Sequence, residues 1–459
     1  HAGRHTKARE HGQLLTMQRR LPTISVLALS TFACVIEPGV LEGGADDDVG
    51  EGDTTANLDG SSDDSTGDTD TSDSGGVELG ECLVGTNPEG GVEPGAFPIA
   101  SCGMICDQGW GHAAPMLPIA WTLDFTELDP QSAPVPVNVL PLASGDGVVV
   151  ISRNEFGTEL LRVSGEGDVL GVGTLSISAQ LWNAVGQDGV IYLGYFDEFA
   201  NKGLVMALDE NANPLWSYGT DKTIDVIAAA PEGGVVFADL DTRTLTRLDA
   251  NGSEIWTAPS LPASSLAFGP SGQILAAGYL ELPDQGALRL HASTGETLDE
   301  QAIAVMSNEL LGLVFLDDDR VLATGTLMTG PSGDAQARVI DLAGTDLGWS
   351  HHYNRGLTSC TGDAQAGWDW FGRPVRLPDG TVVINGASQG PELVGVLGNQ
   401  PTVFRIDDQG EVLGRDVGLW FGATTAVTAD VSGSAYAVMT LDVCGRGDCP
   451  SAGFYLRKY

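Results

Sequence analysis

The sequence predicts an all-β chain folded as a seven-bladed β-propeller, and three observations predict it. One stretch recurs: "LDENANPLW" (residues 208–216) returns as "LDANGSEIW" (248–256), with looser echoes at 163–171, 290–299 and 406–414. A second motif, Asp-Gly or a near relative followed by a β-branched run, occurs seven times. Finally, an orphan strand "PIAWTLDF" (118–125) precedes the first unit, while the last unit stops one strand short at "GFYLRKY" (453–459).

The second motif starts at Ser144, Gly186, Pro231, Gly269, Leu316, Leu377 and Asp430. Asp-Gly before a β-branched run is the sequence form of a tight hairpin entering a strand. The turns recur about every 40 to 45 residues early in the chain and at up to about 60 later, a period that fits a four-stranded blade with insertions. In the first unit "NVLPLA" is strand A, "VVVISR" strand B, "TELLRVS" strand C and "VLGVGTL" strand D. The recurrent stretch is therefore the C to D hairpin: Asp249, Asn251 and Gly252 supply the turn, and Trp256 covers the joint to a neighbouring blade. The orphan strand, with Trp121, supplies the strand D that the last blade lacks. Closure of this kind ties the two ends of the ring and removes the open edges that template aggregation.

The 459 residues carry 22 basic and 62 acidic side chains, a net charge of −40. Such a balance excludes nucleic acid as a partner, because phosphates need a basic footprint. Residues 1–16 are expected to be an upstream extension, and 17–34, "MQRRLPTISVLALSTFAC", a signal peptide with a basic start and an apolar core too short to span a bilayer. Ala33-Cys34 forms a candidate lipobox, which makes Cys34 the expected lipidation site and the lipid the one membrane contact; simple cleavage near Ser30 or Ala33 is the alternative. Residues 35–80, rich in Asp, Ser, Thr and Gly, form an acidic linker without the apolar surface to offset its ordering entropy and are expected to be disordered. A cysteine-containing lead-in covers 81–116, and the propeller 117–459. With Cys34 set aside, Cys82, Cys102, Cys106, Cys360, Cys444 and Cys449 form an even set suited to disulfides outside the cytoplasm. A local Cys444 to Cys449 loop is expected, with the other four stapling the lead-in onto itself and onto the loop bearing Cys360. No pair has the CxxC spacing of a zinc site.

Insertions fall at 326–336, 351–372, 387–400 and 441–451, on the face shared by B to C and D to A loops. Long loops in compact domains concentrate function. The richest is "HHYNRGLTSCTGDAQAGWDWFG", which brings His351, His352, Tyr353, Asp363, Trp368, Asp369, Trp370 and Phe371 into one excursion. Aromatics beside carboxylates suit a carbohydrate or peptide platform; the competing expectation is that these rings form the loop's own small core. Adjacent histidines in extended chain point apart, so no metal site is assigned to them. "DTSDSGGVELGE" (70–81) matches a calcium loop at several positions and leaves calcium as the one cofactor alternative. "RGD" (446–448) is expected to be an exposed turn. No G-x-S-x-G, HExxH, P-loop or Rossmann pattern is present. Asp363 and Asp369 would be the carboxylate pair of a glycosidase reading.

On the D-x-x-G-x-x-W unit and the Asp-Gly turns, residues 117–459 resemble the bacterial extracytoplasmic β-propellers of the PQQ-like or quinoprotein-like superfamily, many of them lipoproteins. Quinoprotein enzymes of that superfamily carry eight blades, a vicinal cysteine pair and a calcium-bound cofactor. Seven units and no adjacent cysteines place this chain with a non-enzymatic branch. The expected function is that of a monomeric binding scaffold for a protein or glycan, without a resident cofactor, at the cell surface, in the periplasm or secreted. A propeller lyase or glycosidase, a quinoprotein-like enzyme and a purely structural surface protein are the alternatives.

Overall fold

The computed structural model describes residues 106–109, 114–125, 134–154, 157–176, 180–197, 202–221, 223–239, 241–279, 286–303, 308–328, 333–342, 350–356, 369–390, 398–418, 422–442 and 451–459. The calcium-like tract, the RGD tripeptide, Cys34, Cys82, Cys102, Cys360, Cys444 and Cys449 lie outside them. The described chain forms seven antiparallel sheets, five of them built from four strands that follow one another in sequence and two that also take a strand from the N-terminal segment. Blade 1 illustrates the pattern: strand A Val135–Pro141, strand B Val148–Asn154, strand C Gly157–Val163 and strand D Val169–Leu175. Blade 7 takes strands A to C from Thr424–Ala429, Ala435–Asp442 and Ser451–Lys458, and its outer strand is Trp121–Asp124, paired in register Trp121↔Lys458. The ring closes with the strand that the sequence marks as orphaned.

The apolar core is divided among the joints. Seven clusters of buried side chains each join two neighbouring blades. Alternation along a strand feeds both sides: Val148 and Val150 pack toward blade 7, Val149 and Ile151 toward blade 2. A strand B buried on both faces reads as a continuous apolar run, which is why "VVVI" recurs where period-two alternation would mark a surface strand.

Turn chemistry follows the sequence. Gly147, Gly189, Gly234 and Gly380 all have positive φ at A to B hairpins, as do Gly167, Gly252, Gly295 and Gly410 at C to D hairpins. Three of these C to D turns, those of Gly167, Gly252 and Gly295, meet tryptophans. Trp216 of blade 2 donates its indole N–H to Ala250 O of the next blade's turn (2.8 Å), and Gly252 lies over its ring. Trp256 repeats the contact with Ser293 O (2.9 Å) and Gly295, and Trp121 with Gly165 O (3.0 Å) and Gly167. The recurrent glycine and tryptophan thus meet across each such joint, the glycine of one blade against the tryptophan of the blade before it.

The lead-in is also part of the sheet system. Cys106–Gly109 pairs antiparallel with the outer strand of blade 5, Ser350–Gly356, in register Cys106↔Gly356, so that blade has five strands where four were expected. Farther along, Leu117 N donates to Arg415 O (2.8 Å) and Arg415 N to Pro115 O (2.9 Å) on the outer strand of blade 6. The segment therefore edges blades 5, 6 and 7 in succession, covering outer strands that would otherwise stand unpaired.

Candidate functional site

Strands A surround a central channel of about 1280 Å³, larger than most small-molecule sites. In every blade but the third, strand A slips register against strand B, as at Pro136/Asn138, Leu181/Asn183, Ala263/Ser265 and Phe371/Pro374. A bulge needs room behind it, and the residue opposite is often glycine. A Cβ on Gly278 would lie 1.8 Å from Pro262 O, and one on Gly386 2.1 Å from Trp370 O. These are the closing glycines of "QILAAG" and "TVVING", so their recurrence carried the bulge signal. Bulges re-aim side chains.

At that level polar side chains of strands A and B bond around the ring. Asn138 Nδ2 donates to Ala184 O, Asn183 Nδ2 to Asp225 O (2.6 Å) and Ser264 Oγ to Leu310 O (2.6 Å). Thr324 Oγ1 donates to Gly372 O (2.5 Å) and Asn385 Nδ2 to Thr424 O (2.8 Å). Each bond runs from one blade to a backbone carbonyl of the next. Toward the A to B turns the lining becomes mainly apolar, with Ala228, Ala267, Phe315, Val375 and Val427 among its residues.

Arg373 interrupts this pattern. It sits in the strand A bulge of blade 6, and its Nη2 reaches Asn183 Oδ1 of blade 2 at 3.0 Å, three joints around the ring. The guanidinium spans the channel. Among the described residues Asn183 is the one acceptor it meets, and no carboxylate pairs with it. Enclosure by protein pulls its pKa below the ordinary arginine value. The other charged residues lining the channel are Arg376, exposed at the turn end, and Asp430, which is held by Ser432, Ser434 and Tyr436.

The loop expected to carry the site is divided by the structure. His351, His352 and Tyr353 lie in the outer strand of blade 5, and Phe371 and Trp370 in strand A of blade 6. Tyr353 and Phe371 are fully buried, with Phe404 5.0 Å from the Tyr353 ring and 5.2 Å from that of Phe371. These two rings seal a blade joint and offer nothing to a ligand platform, a correction to the expectation. Asp369 is buried as well, its N–H donating to Gly333 O of blade 5 (2.7 Å), so it presents no open carboxylate. His351 is half-buried beside Ala337, and Trp370 lines the channel. Asp363 and Trp368 lie outside the described residues. The insertions at 326–336 and 387–400 also shrink, because Arg320–Met328, Gly333–Asp341, Val382–Gly390 and Gly398–Ile406 are long paired strands.

Sequence reasoning missed Arg373, yet "FGRPVR" holds a signal. Proline cannot donate to a ladder and is confined within sheets to edges, first positions and bulges. Pro374 in an inner strand therefore marks a bulge beside a rare basic residue. Among the described residues no group of His, Cys, Asp and Glu is arranged to hold a metal ion.

No family model matches the chain, and no curated protein matches it. Solved structures similar to it include the Cps50 (Swd1) β-propeller domain of Myceliophteria thermophila, at 12% identity and TM-score 0.48 over 74% of this chain and 98% of that one. A streptogramin B lyase matches at 12% identity and TM-score 0.47 over 74% and 97%. A virginiamycin B lyase from Staphylococcus aureus matches at 11% and 0.45 over 74% and 98%.

Proposed function

We propose that the chain is a binding propeller that acts outside the cytoplasm and takes its ligand, a protein segment or a glycan of the cell envelope, into the central channel. The observation that carries this reading is the channel itself: a space of about 1280 Å³ with a polar ring at one level and apolar walls below it. A few placed polar groups on apolar walls is the usual make-up of a ligand site. Catalysis needs a nucleophile with its base, or paired carboxylates across a cleft. The described channel residues offer neither.

The address rests on the N-terminal sequence. Residues 17–34 supply the export signal, Cys34 the lipid and 35–80 the tether, giving a surface or outer-membrane lipoprotein, or a secreted protein if cleavage is simple. The scaffold works as a monomer without a resident cofactor.

Two measurements test this. Full-length chain is used to capture envelope glycans and proteins, beside Ala229→Phe, which puts a ring into the channel. Reduced capture in this variant is expected, and equal capture would sink the channel reading. Labelling with an alkyne palmitate analogue should mark the wild type and not Cys34→Ser; label on neither chain would overturn the anchor.

A further inference from the structure

We propose that Arg373 is the recognition group of the channel and that it takes a carboxylate. This deepens the binding reading above and rests on it. The guanidinium lies inside the ring, held at one nitrogen by Asn183 Oδ1 across the lumen, and it keeps a partly open surface there. Nε and Nη1 have no acceptor among the described residues, and Nη2 carries a second N–H, so one edge of the fork, Nη2 with Nε or Nη2 with Nη1, keeps two donors that match the two oxygens of a planar carboxylate.

The contrast with two other enclosed arginines, Arg457 and Arg247, supports a ligand. Arg457 is buried against Asp416 at 2.6 Å, and Arg247 reaches Glu232 at 2.8 Å. In a chain with 62 acidic residues, a carboxylate partner was available in abundance. Enclosing an uncompensated charge is costly, and proteins normally pair it. Arg373 is instead fixed by a neutral amide that aims it and leaves its charge unmet. Trp370, three residues earlier on the same strand, lines the lumen with it and supplies an apolar plane for the body of the ligand. The chain's net negative charge opposes anion approach at long range, but salt screens that field beyond about 8 Å and leaves the contact itself intact.

The test is calorimetric titration of the full chain near physiological salt with four probes: glucuronate, N-acetylalanine, glucose and inorganic phosphate. Binding of glucuronate or N-acetylalanine without binding of glucose is expected, and the stronger of the two tells whether the carboxylate arrives on a sugar or on a peptide end. Arg373→Met should weaken that binding by at least ~10-fold, and Arg373→Lys by a smaller factor, because it keeps the charge and loses the planar fork. Arg373→Met should also melt no lower than the wild type, since it removes an unpaired charge; a lower melting temperature together with unchanged affinity would make Arg373 a structural strut. Equal affinity in Arg373→Met, glucose bound as tightly as glucuronate, tighter binding of phosphate than of either carboxylate, or no carboxylate binding overturns the proposal. Should Arg373→Met fail to fold, the lysine variant and the glucuronate-to-glucose contrast decide. Envelope capture that survives in Arg373→Met and is reduced in Ala229→Phe would leave the channel reading standing and remove the carboxylate.

Discussion

The joint between blades 2 and 3 and the joint between blades 1 and 2 occupy equivalent places in the ring and close in opposite ways. At the first, Trp216 fills the joint, and the turn residue above it is Gly252 at φ +80°, where an added Cβ would lie 2.6 Å from the indole. At the second, Gly171 stands where the tryptophan would be, and the turn residue is Ala212, held at φ +64° in spite of its Cβ. The methyl group is buried and belongs to the cluster joining blades 1 and 2, and a Cβ on Gly173 would come within 2.7 Å of it. Large with none, or none with small: the two positions are matched as a pair. The joint between blades 6 and 7 adds a third solution, because Leu117, directly after the lead-in, fills the space over Gly414, and the pair Asp416 and Arg457 bonds inside it.

That third joint should be the most sensitive. Both members of the pair are about 2% exposed, and Tyr459 Oη also donates to Asp416 (2.6 Å). Asp416→Ala takes the Asp416 carboxylate away from a buried guanidinium, a loss of about 3–5 kcal/mol by the usual cost of breaking a buried pair. Chemical denaturation checks it. A loss below ~1 kcal/mol would mean that water reaches Arg457 and that the joint is looser than its geometry.

Gly252→Ala comes next. A left-handed Cβ costs roughly 1–2 kcal/mol, and overpacking against Trp216 adds about 1–3, so a loss of about 2–5 is expected. The same substitution in a Trp216→Gly background should cost less, because the collision is gone. If the two changes are simply additive, the positions are not a matched pair.

The fold was legible because its units repeat. One Trp256 is only an aromatic residue, but Trp216 and Trp256 at the same distance from the same turn define a joint, and Trp121 outside the units completes the ring. The site was much less legible. Tyr353 and Phe371 look like loop aromatics because one excursion in sequence separates them, whereas Tyr353 pairs with Ala335 in blade 5, Phe371 pairs with Gly386 in blade 6, and the rings meet where the two blades pack. No local pattern reports that register. Arg373 likewise acquires its meaning from Asn183, 190 residues earlier, although Pro374 beside it marks the bulge.

A gentler probe uses His291, which sits where blade 3 has Leu248. The imidazole is fully buried, with Nε2 3.3 Å from Ser260 Oγ of blade 3 and Nδ1 3.4 Å from Gly295 O at the Trp256 joint. Burial lowers its pKa below the ordinary value, so protonation favours the unfolded chain. Its contribution is complete above the unfolded value near ~6.5 and is lost progressively as pH falls below it toward the folded value. The melting temperature of the wild type should therefore drop between about pH 7 and pH 5 more than that of His291→Leu. An equal drop would place the sensitivity elsewhere.

The smallest effect expected is also the one that reads the joints most directly. Ala212→Gly gives blade 2 the turn residue that blade 3 has, but without the tryptophan. Relief of the left-handed Cβ is worth roughly 1–2 kcal/mol. Against it stand about 0.8 for the buried methyl and about 0.5–1 for the added freedom of glycine in the unfolded chain. The terms nearly cancel, so the substitution should change stability by less than ~0.5 kcal/mol, while its mirror image at Gly252 costs several times more. A gain above ~1 kcal/mol would show that the methyl contributes nothing to the joint and that Ala212 is tolerated strain. A loss of that size would show the opposite: with Gly171 in place of an indole, one methyl group is what keeps blades 1 and 2 together at their outer edge.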